Sequence, residues 1–150
     1  MPAEFRPITE ATIAAALDMM PRLYGSQPFD PMQARAALER LLADPRWGGA
    51  WLIESEGKTS GYLVLTVCFS LEFRGRYGLL DELYLEPEAR GRGIGKEALD
   101  FVAEECRRRG FAAVRLEVGL DNARALALYQ REGFTAHKRY LMTKWIDHAS

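Results

Sequence analysis

The residues that most constrain this chain are Glu86-Pro87-Glu88-Ala89-Arg90-Gly91-Arg92-Gly93-Ile94-Gly95-Lys96. They stand between a run that reads as a strand, about Tyr77 to Leu85, and one that reads as a helix, Gly93 to Arg109, with apolar groups at Ile94, Ala98, Val102 and Cys106. Glycine in such a junction lets the backbone approach a ligand, and the first free N–H groups of the helix point partial positive charge outward. That combination binds phosphate. The same glycines would also serve a bare strand-to-helix turn, so spacing has to separate the readings. A G-x-G-x-x-G dinucleotide loop needs glycine at 96, where Lys96 stands. A G-x-x-x-x-G-K-[ST] loop closing on Gly95-Lys96 needs glycine at 90 and Ser or Thr at 97, but the residues are Arg90 and Glu97. Both fail.

The rest of the chain builds a frame around that junction. Phe5-Arg6-Pro7-Ile8 reads as a first strand, and Thr9 can cap a helix with Ile13, Leu17 and Met20 on its apolar face. Pro21, Pro28, Pro31 and Gly25 make the next stretch a loop, and Asp30-Pro31 opens a second helix as cap and first helical residue. From Trp47 the period becomes that of strands: Ala50 to Ile53, a turn at Glu56-Gly57-Lys58, Gly61 to Phe69, a turn at Arg74-Gly75-Arg76, and the strand ending at Leu85. Strands two to four form an antiparallel meander. The helix that follows ends in Arg107-Arg108-Arg109-Gly110, cations then glycine, as a helix C-terminus favours. Strand five, Ala113 to Val118, returns from a helical crossover and therefore runs parallel to strand four. Asp121 or Asn122 caps a fourth helix, Ala123 to Glu132, and two last strands are expected near Phe134 to His137 and Arg139 to Ile146. The expectation is one α/β domain over 1–150 with about seven strands and four helices.

Composition excludes several partners. With 20 Lys plus Arg against 21 Asp plus Glu, the net charge of −1 offers no broad basic field, so nucleic acid is not an expected partner. Cys68 and Cys106 stand far apart beside only two histidines, so neither a disulfide framework nor a metal site is expected, and both thiols read as small buried hydrophobes. His137 and His148 have no partner at a meaningful spacing, and Met19, Met20, Trp47 and Trp51 read as core. The opening Met1-Pro2-Ala3-Glu4-Phe5 lacks a basic segment followed by an apolar one, and no run reaches the ~18 apolar residues of a membrane span. A soluble, cytoplasmic protein with no membrane partner is expected.

Arg90-x-x-Gly93-x-Gly95 resembles the Arg/Gln-x-x-Gly-x-Gly/Ala pyrophosphate loop of the GNAT superfamily of N-acetyltransferases. The resemblance extends from Phe5-Arg6-Pro7-Ile8-Thr9 through Asp81-Glu82-Leu83-Tyr84-Leu85 to Asn122, Leu128-Tyr129 and Gly133-Phe134. Strand four is similar to that of the spermidine/spermine and thialysine acetyltransferases. Leu116-Glu117-Val118 with Asn122 and Tyr129 is similar to the ribosomal-protein alanine acetyltransferases. The resemblance implies the GNAT fold: a mostly antiparallel mixed sheet with strands four and five parallel and splayed, and helices on both faces. It implies acetyl-CoA as co-substrate, with no metal, lying in the wedge between those strands. The backbone of Leu83 and Leu85 would pair with the pantetheine amides. The pyrophosphate would rest on the amides of Gly91, Arg92, Gly93, Ile94, Gly95 and Lys96, with Arg90 or Arg92 adding charge and Asn122 contacting the cofactor. Tyr129 matches the family tyrosine that protonates the departing thiolate.

Acetyl transfer needs a neutral amine, and an alkylamine is mostly protonated at neutral pH, so a base must help. Asp81 and Glu82 stand beside the wedge, where strand alternation puts one on each face; Glu117 stands in strand five, where an unpaired charge would be costly to bury. The similarity of strand four to the polyamine-type enzymes makes Asp81 or Glu82 the favoured base, acting through water, with Glu117 in reserve. By resemblance the acceptor is held by the residues around Tyr24 to Phe29, Leu71 to Tyr77 and His137 to Tyr140. There Tyr24, Phe29 and Phe73 could wall a cation, with Glu72 and Asp81 nearby. A small amine, polyamine or lysine-like acceptor follows. Arg74, Arg76 and Arg139 leave open a peptide or protein N-terminus or lysine, and a non-catalytic CoA-binding sensor is the rival of another class. A homodimer is also among the expectations, since dimers are common among similar proteins.

Overall fold

The computed structural model describes residues 2–147, so His148 lies outside the described residues. In chain order the elements are β1 (Glu4–Pro7), α1 (Ile13–Tyr24), α2 (Pro31–Ala43), β2 (Gly48–Ser55), β3 (Lys58–Ser70), β4 (Gly75–Leu85), α3 (Ile94–Arg108), β5 (Val114–Leu116) and α4 (Ala123–Arg131). Single 3-10 turns, Pro45–Trp47 and Pro87–Ala89, precede β2 and follow β4. The five strands lie in sequence order, antiparallel from β1 to β4, with β5 parallel to β4.

Strands β2 and β3 carry almost unbroken apolar runs because both sheet faces are covered. Trp51, Ile53, Leu63 and Leu65 point into a core closed by Ala98, Leu99 and Val102 of α3. Ala50, Leu52, Tyr62 and Val64, the intervening residues, point into a second core closed by Ile13, Ala16 and Met20 of α1 and Leu38 of α2. Leu128 and Tyr129 of α4 pack against the α3-side core. Helices therefore flank both faces, as expected.

Local chemistry sets the helix ends. The Asp30 carboxylate accepts from the amides of Met32 at 2.9 Å and Gln33 at 3.2 Å, so the expected cap of α2 is formed. Helix α1 runs through Pro21 to Tyr24 and does not stop at the proline, which shortens the expected loop. Its Thr9 takes part in the preceding turn, its carbonyl accepting from Ile13 at 2.9 Å.

Two expectations fail at the C-terminal side. Strand β5 has three residues and not six, and among the described residues no strand forms after α4, so the sheet has five strands and not seven. A strand needs a neighbour's backbone to pair with. The segment after Phe134 finds none, leaving Tyr140, Leu141, Met142, Trp145 and Ile146 between 72% and 96% exposed. Trp47 also departs from its core reading at 58% exposed, whereas Trp51, Met19, Met20 and Cys106 are buried and Cys68 is half-buried. No helix among the described residues is long and apolar enough to cross a membrane.

Candidate active site

Two features of β4 create the site. The parallel pairing with β5 covers only Gly78 to Leu80, so the next five residues of β4, Asp81 to Leu85, leave the ladder with their β5-side edge unpaired. The register against β3 also shifts, with Val64 opposite Glu82 but Leu65 opposite Leu80. Asp81 is thus an extra residue, and a bulge of this kind re-aims the side chains beyond it. Leu80 belongs to the α3-side core and Tyr84 to the α1 and α2 side, although plain alternation would put both on one face. The expectation that Asp81 and Glu82 face opposite ways is corrected for this reason: both border the same cleft.

That cleft, about 390 Å³, opens between α1, α2 and the sheet. Glu82 is held at its wall by two phenols: Tyr24 Oη donates to Oε2 and Tyr62 Oη to Oε1, each at 2.7 Å. Burial raises the Glu82 pKa above the usual carboxylate range, the two phenol hydrogen bonds pull it back, and the Asp81 charge raises it further. The Asp81 carboxyl is open to the cleft, yet enough protein surrounds it for desolvation to raise its pKa too. Desolvation and the Glu82 charge push both tyrosine hydroxyls upward, so they stay protonated donors.

A second cavity, about 590 Å³, lies beyond the bulge, where β4 faces α3 and α4. Leu83, Leu85, Arg90, Gly91, Gly93, Gly95, Lys96, Asn122 and Tyr129 border it, which brings together nine of the residues expected at a cofactor. Gly91 and Gly93 have φ of +76° and +80°, backbone that glycine adopts without strain. Helix α3 starts at Gly93 with no side chain on its free amides. A Cβ on Gly95 would stand 3.0 Å from Leu128 Cδ2, so glycine there lets α4 approach. The Asn122 side chain caps α4 by accepting from the Ala125 amide at 3.2 Å while bordering the cavity. Tyr129 is half-buried against Phe134, ring centroids 5.9 Å apart, and desolvation raises its pKa.

Other expected residues fall elsewhere. Arg92 turns outward to Glu56 at 3.2 Å, and Ile94 is buried in the core. Phe29 packs edge-on against Tyr24 at 5.1 Å, behind the cleft. Glu72 pairs with Arg139 at 3.6 Å and Phe73 lies tilted against Tyr77 at 4.8 Å, and neither borders the cleft that Tyr24 lines. Glu117 follows the last residue of β5 and is exposed, so the burial argument for it does not apply; it borders neither cavity.

Sequence reasoning missed three residues. Tyr62 was hidden inside an apolar strand; only the β3–β4 register places it near Glu82. Tyr84 lies between two guanidinium groups, with Arg22 and Arg90 each 5.8 Å from its ring centroid, and its hydroxyl donates to Glu86 at 2.8 Å. Arg124 borders the second cavity, its guanidinium 3.8 Å from where a Cβ of Gly91 would be. Its place two residues past the Asn122 cap was the available signal.

The model of the Acetyltransferase (GNAT) family matches residues 13–134. A mycothiol acetyltransferase of Beutenbergia cavernae is 32% identical over 140 residues, covering 88% of this chain and 45% of that protein. The chain spans half or less of the length of the curated relatives it matches. Among solved structures, the integron cassette protein HFX_CASS3 from the mobile metagenome of Cole Harbour Salt Marsh superimposes with a TM-score of 0.83 at 29% identity. The match covers 95% of this chain and 90% of that one. A predicted acetyltransferase from Clostridium acetobutylicum, solved with acetyl-CoA, shares the fold with a TM-score of 0.80 at 18% identity over 99% of each chain.

Proposed function

The chain belongs to the GNAT family of acetyltransferases, and on that premise we propose that it moves the acetyl group of acetyl-CoA to a primary amine within a ternary complex. One observation carries the reading: consecutive residues of β4 border both cavities, Asp81 and Glu82 the acidic cleft, Leu83 to Leu85 the glycine-lined one. An amine and a thioester held in those two places meet at the bulge.

The second cavity has the chemistry to hold acetyl-CoA. Free amides open α3 at Gly93, and Arg90, Lys96 and Arg124 border the same space, which suits a diphosphate. The unpaired edge of β4 offers backbone donors and acceptors to the pantetheine amides. Acetyl-CoA supplies the reactive thioester carbonyl. Glu82 takes the proton of the acceptor ammonium, directly or through water, and Asp81 adds negative charge that draws the cation in. The freed amine forms the C–N bond as the C–S bond breaks. Tyr129 gives its phenolic proton to the departing sulfur, and the second proton, lost by the acylated nitrogen through water, restores the phenol while Glu82 returns the first to solvent. Acidic peptide acceptors gain little support, because Arg139 is paired to Glu72 and Arg76 lies over Phe111 at 5.5 Å, away from the cleft.

The test is thiol release from acetyl-CoA in the presence of primary amines. Acceptor-dependent thiol is expected. Tight CoA binding by calorimetry with no amine raising thiol release would instead identify a binding module.

A further inference from the structure

The acceptor cleft offers one place for a cation and a long apolar wall behind it. Asp81 and Glu82, adjacent on β4, are its only acidic side chains among the described residues, and Glu82 already accepts from two phenols. Ala37, Leu38 and Leu41 of α2 border the cleft as well, with Trp47 and with Val67 of β3. The Trp47 ring is 58% exposed while bordering the cleft, so it offers an apolar face that the protein's own packing does not cover. Arg40 borders the same space, is exposed, and enters no ion pair among the described residues.

We propose that this cleft selects an acceptor with one ammonium on an aryl or bulky alkyl body and discriminates against diamines and polyamines, with Trp47 and Arg40 as the specificity-determining residues. The inference rests on the transferase reading of the same cleft and names its substrate class. An ammonium at Asp81 and Glu82 leaves the body of the acceptor against the α2 wall, where burying apolar area is favourable. A second ammonium on that body loses hydration against apolar side chains without gaining a counter-charge. The face of Trp47 would attract a cation by itself, but Arg40 brings a like charge to the same cleft and opposes it.

The experiment compares 2-phenylethylamine and tryptamine with putrescine and spermidine as acceptors for the full chain with acetyl-CoA, reading kcat/KM from thiol release. The aryl amines should be used at least ~10-fold more efficiently than the diamine and polyamine, the scale on which apolar contacts discriminate. Trp47→Ala should lower that ratio mainly through KM for the aryl amines, and Arg40→Glu should lower it by raising kcat/KM for putrescine and spermidine. Trp47 and Arg40 are exposed, so an unchanged melting temperature would exclude misfolding as the cause. Equal or better use of spermidine, or a ratio that neither variant moves, overturns this inference while leaving the transferase reading intact. Absence of thiol release with all four amines, CoA still binding, overturns both.

Discussion

Glu82 accepts hydrogen bonds from Tyr24 and Tyr62 and lies beside Asp81, so three neighbours and its own burial set its proton affinity. The phenols favour the charged carboxylate; burial and Asp81 disfavour it. Tyr24→Phe removes one stabilising hydrogen bond, so the Glu82 pKa should rise further. Because the base works only when deprotonated, the acidic limb of the kcat/KM profile against pH should move to higher pH. A limb that stays in place, with Glu82→Gln still active, would remove Glu82 from the role of base. Tyr129 makes a different prediction. Its raised pKa keeps it protonated, and the proposed donation to sulfur comes into play only as the C–S bond breaks. Tyr129→Phe should therefore lower kcat by ~10-fold or more with little change in the affinity for CoA. Wild-type turnover would mean that Tyr129 serves packing against Phe134 alone.

Among the elements, β4 borders both cavities and the loop after it borders the second. The extra residue at Asp81 reverses the facing of β4 within one strand, so that Asp81 and Glu82 border one cavity while Leu83 and Leu85 lie on the α3 side and border the other. The glycine loop works through space left empty. A Cβ on Gly93 would meet nothing within 4 Å, but its φ of +80° strains any L side chain. Gly93→Asp should leave a folded protein, with the same secondary structure by circular dichroism. Its carboxylate would stand beside amides proposed to bind a diphosphate, so CoA binding by calorimetry should be lost. Unchanged affinity would refute the assignment of the loop. The glycine loop, α3 and the Asp30 cap of α2 were legible because each depends on local chemistry: spacing, backbone freedom, and a side chain reaching its own helix. The two absent C-terminal strands were not, since alternation in Phe134 to Ile146 describes a segment able to pair, and pairing needs a partner elsewhere in the chain.

Across the whole molecule, a net charge of −1 conceals separation of charge. Arg90, Lys96, Arg124 and Arg131 outnumber Glu132 at one cavity, and Asp81 with Glu82 outnumber Arg40 at the other. Concentrating like charge in a cleft works against stability. Burial raises the folded-state pKa of Asp81, so the group adds stability only while protonated; that contribution is full below the unfolded pKa and is lost as pH rises through the folded one. Asp81→Asn should accordingly melt higher than the wild type at pH 7 to 8, and the gain should vanish as pH falls to about 4, the ordinary aspartate range. A gain that is the same at both pH values would show that the carboxyl is not desolvated.

The linear order of residues by itself determined the α/β class, the parallel return of β5, the glycine-rich turn into α3 and the pair of acidic residues on β4. These depend on periodicity and on neighbours a few positions away. Only the tertiary structure decided that Asp81 and Glu82 share a cleft, that Tyr62 holds Glu82, that Glu117 is exposed, and that Glu72 and Phe73 do not border the cleft that Tyr24 lines. Each of those depends on cross-strand register or on which strand stops first. A single extra residue in one strand changes both, and hydrophobic pattern carries no record of it.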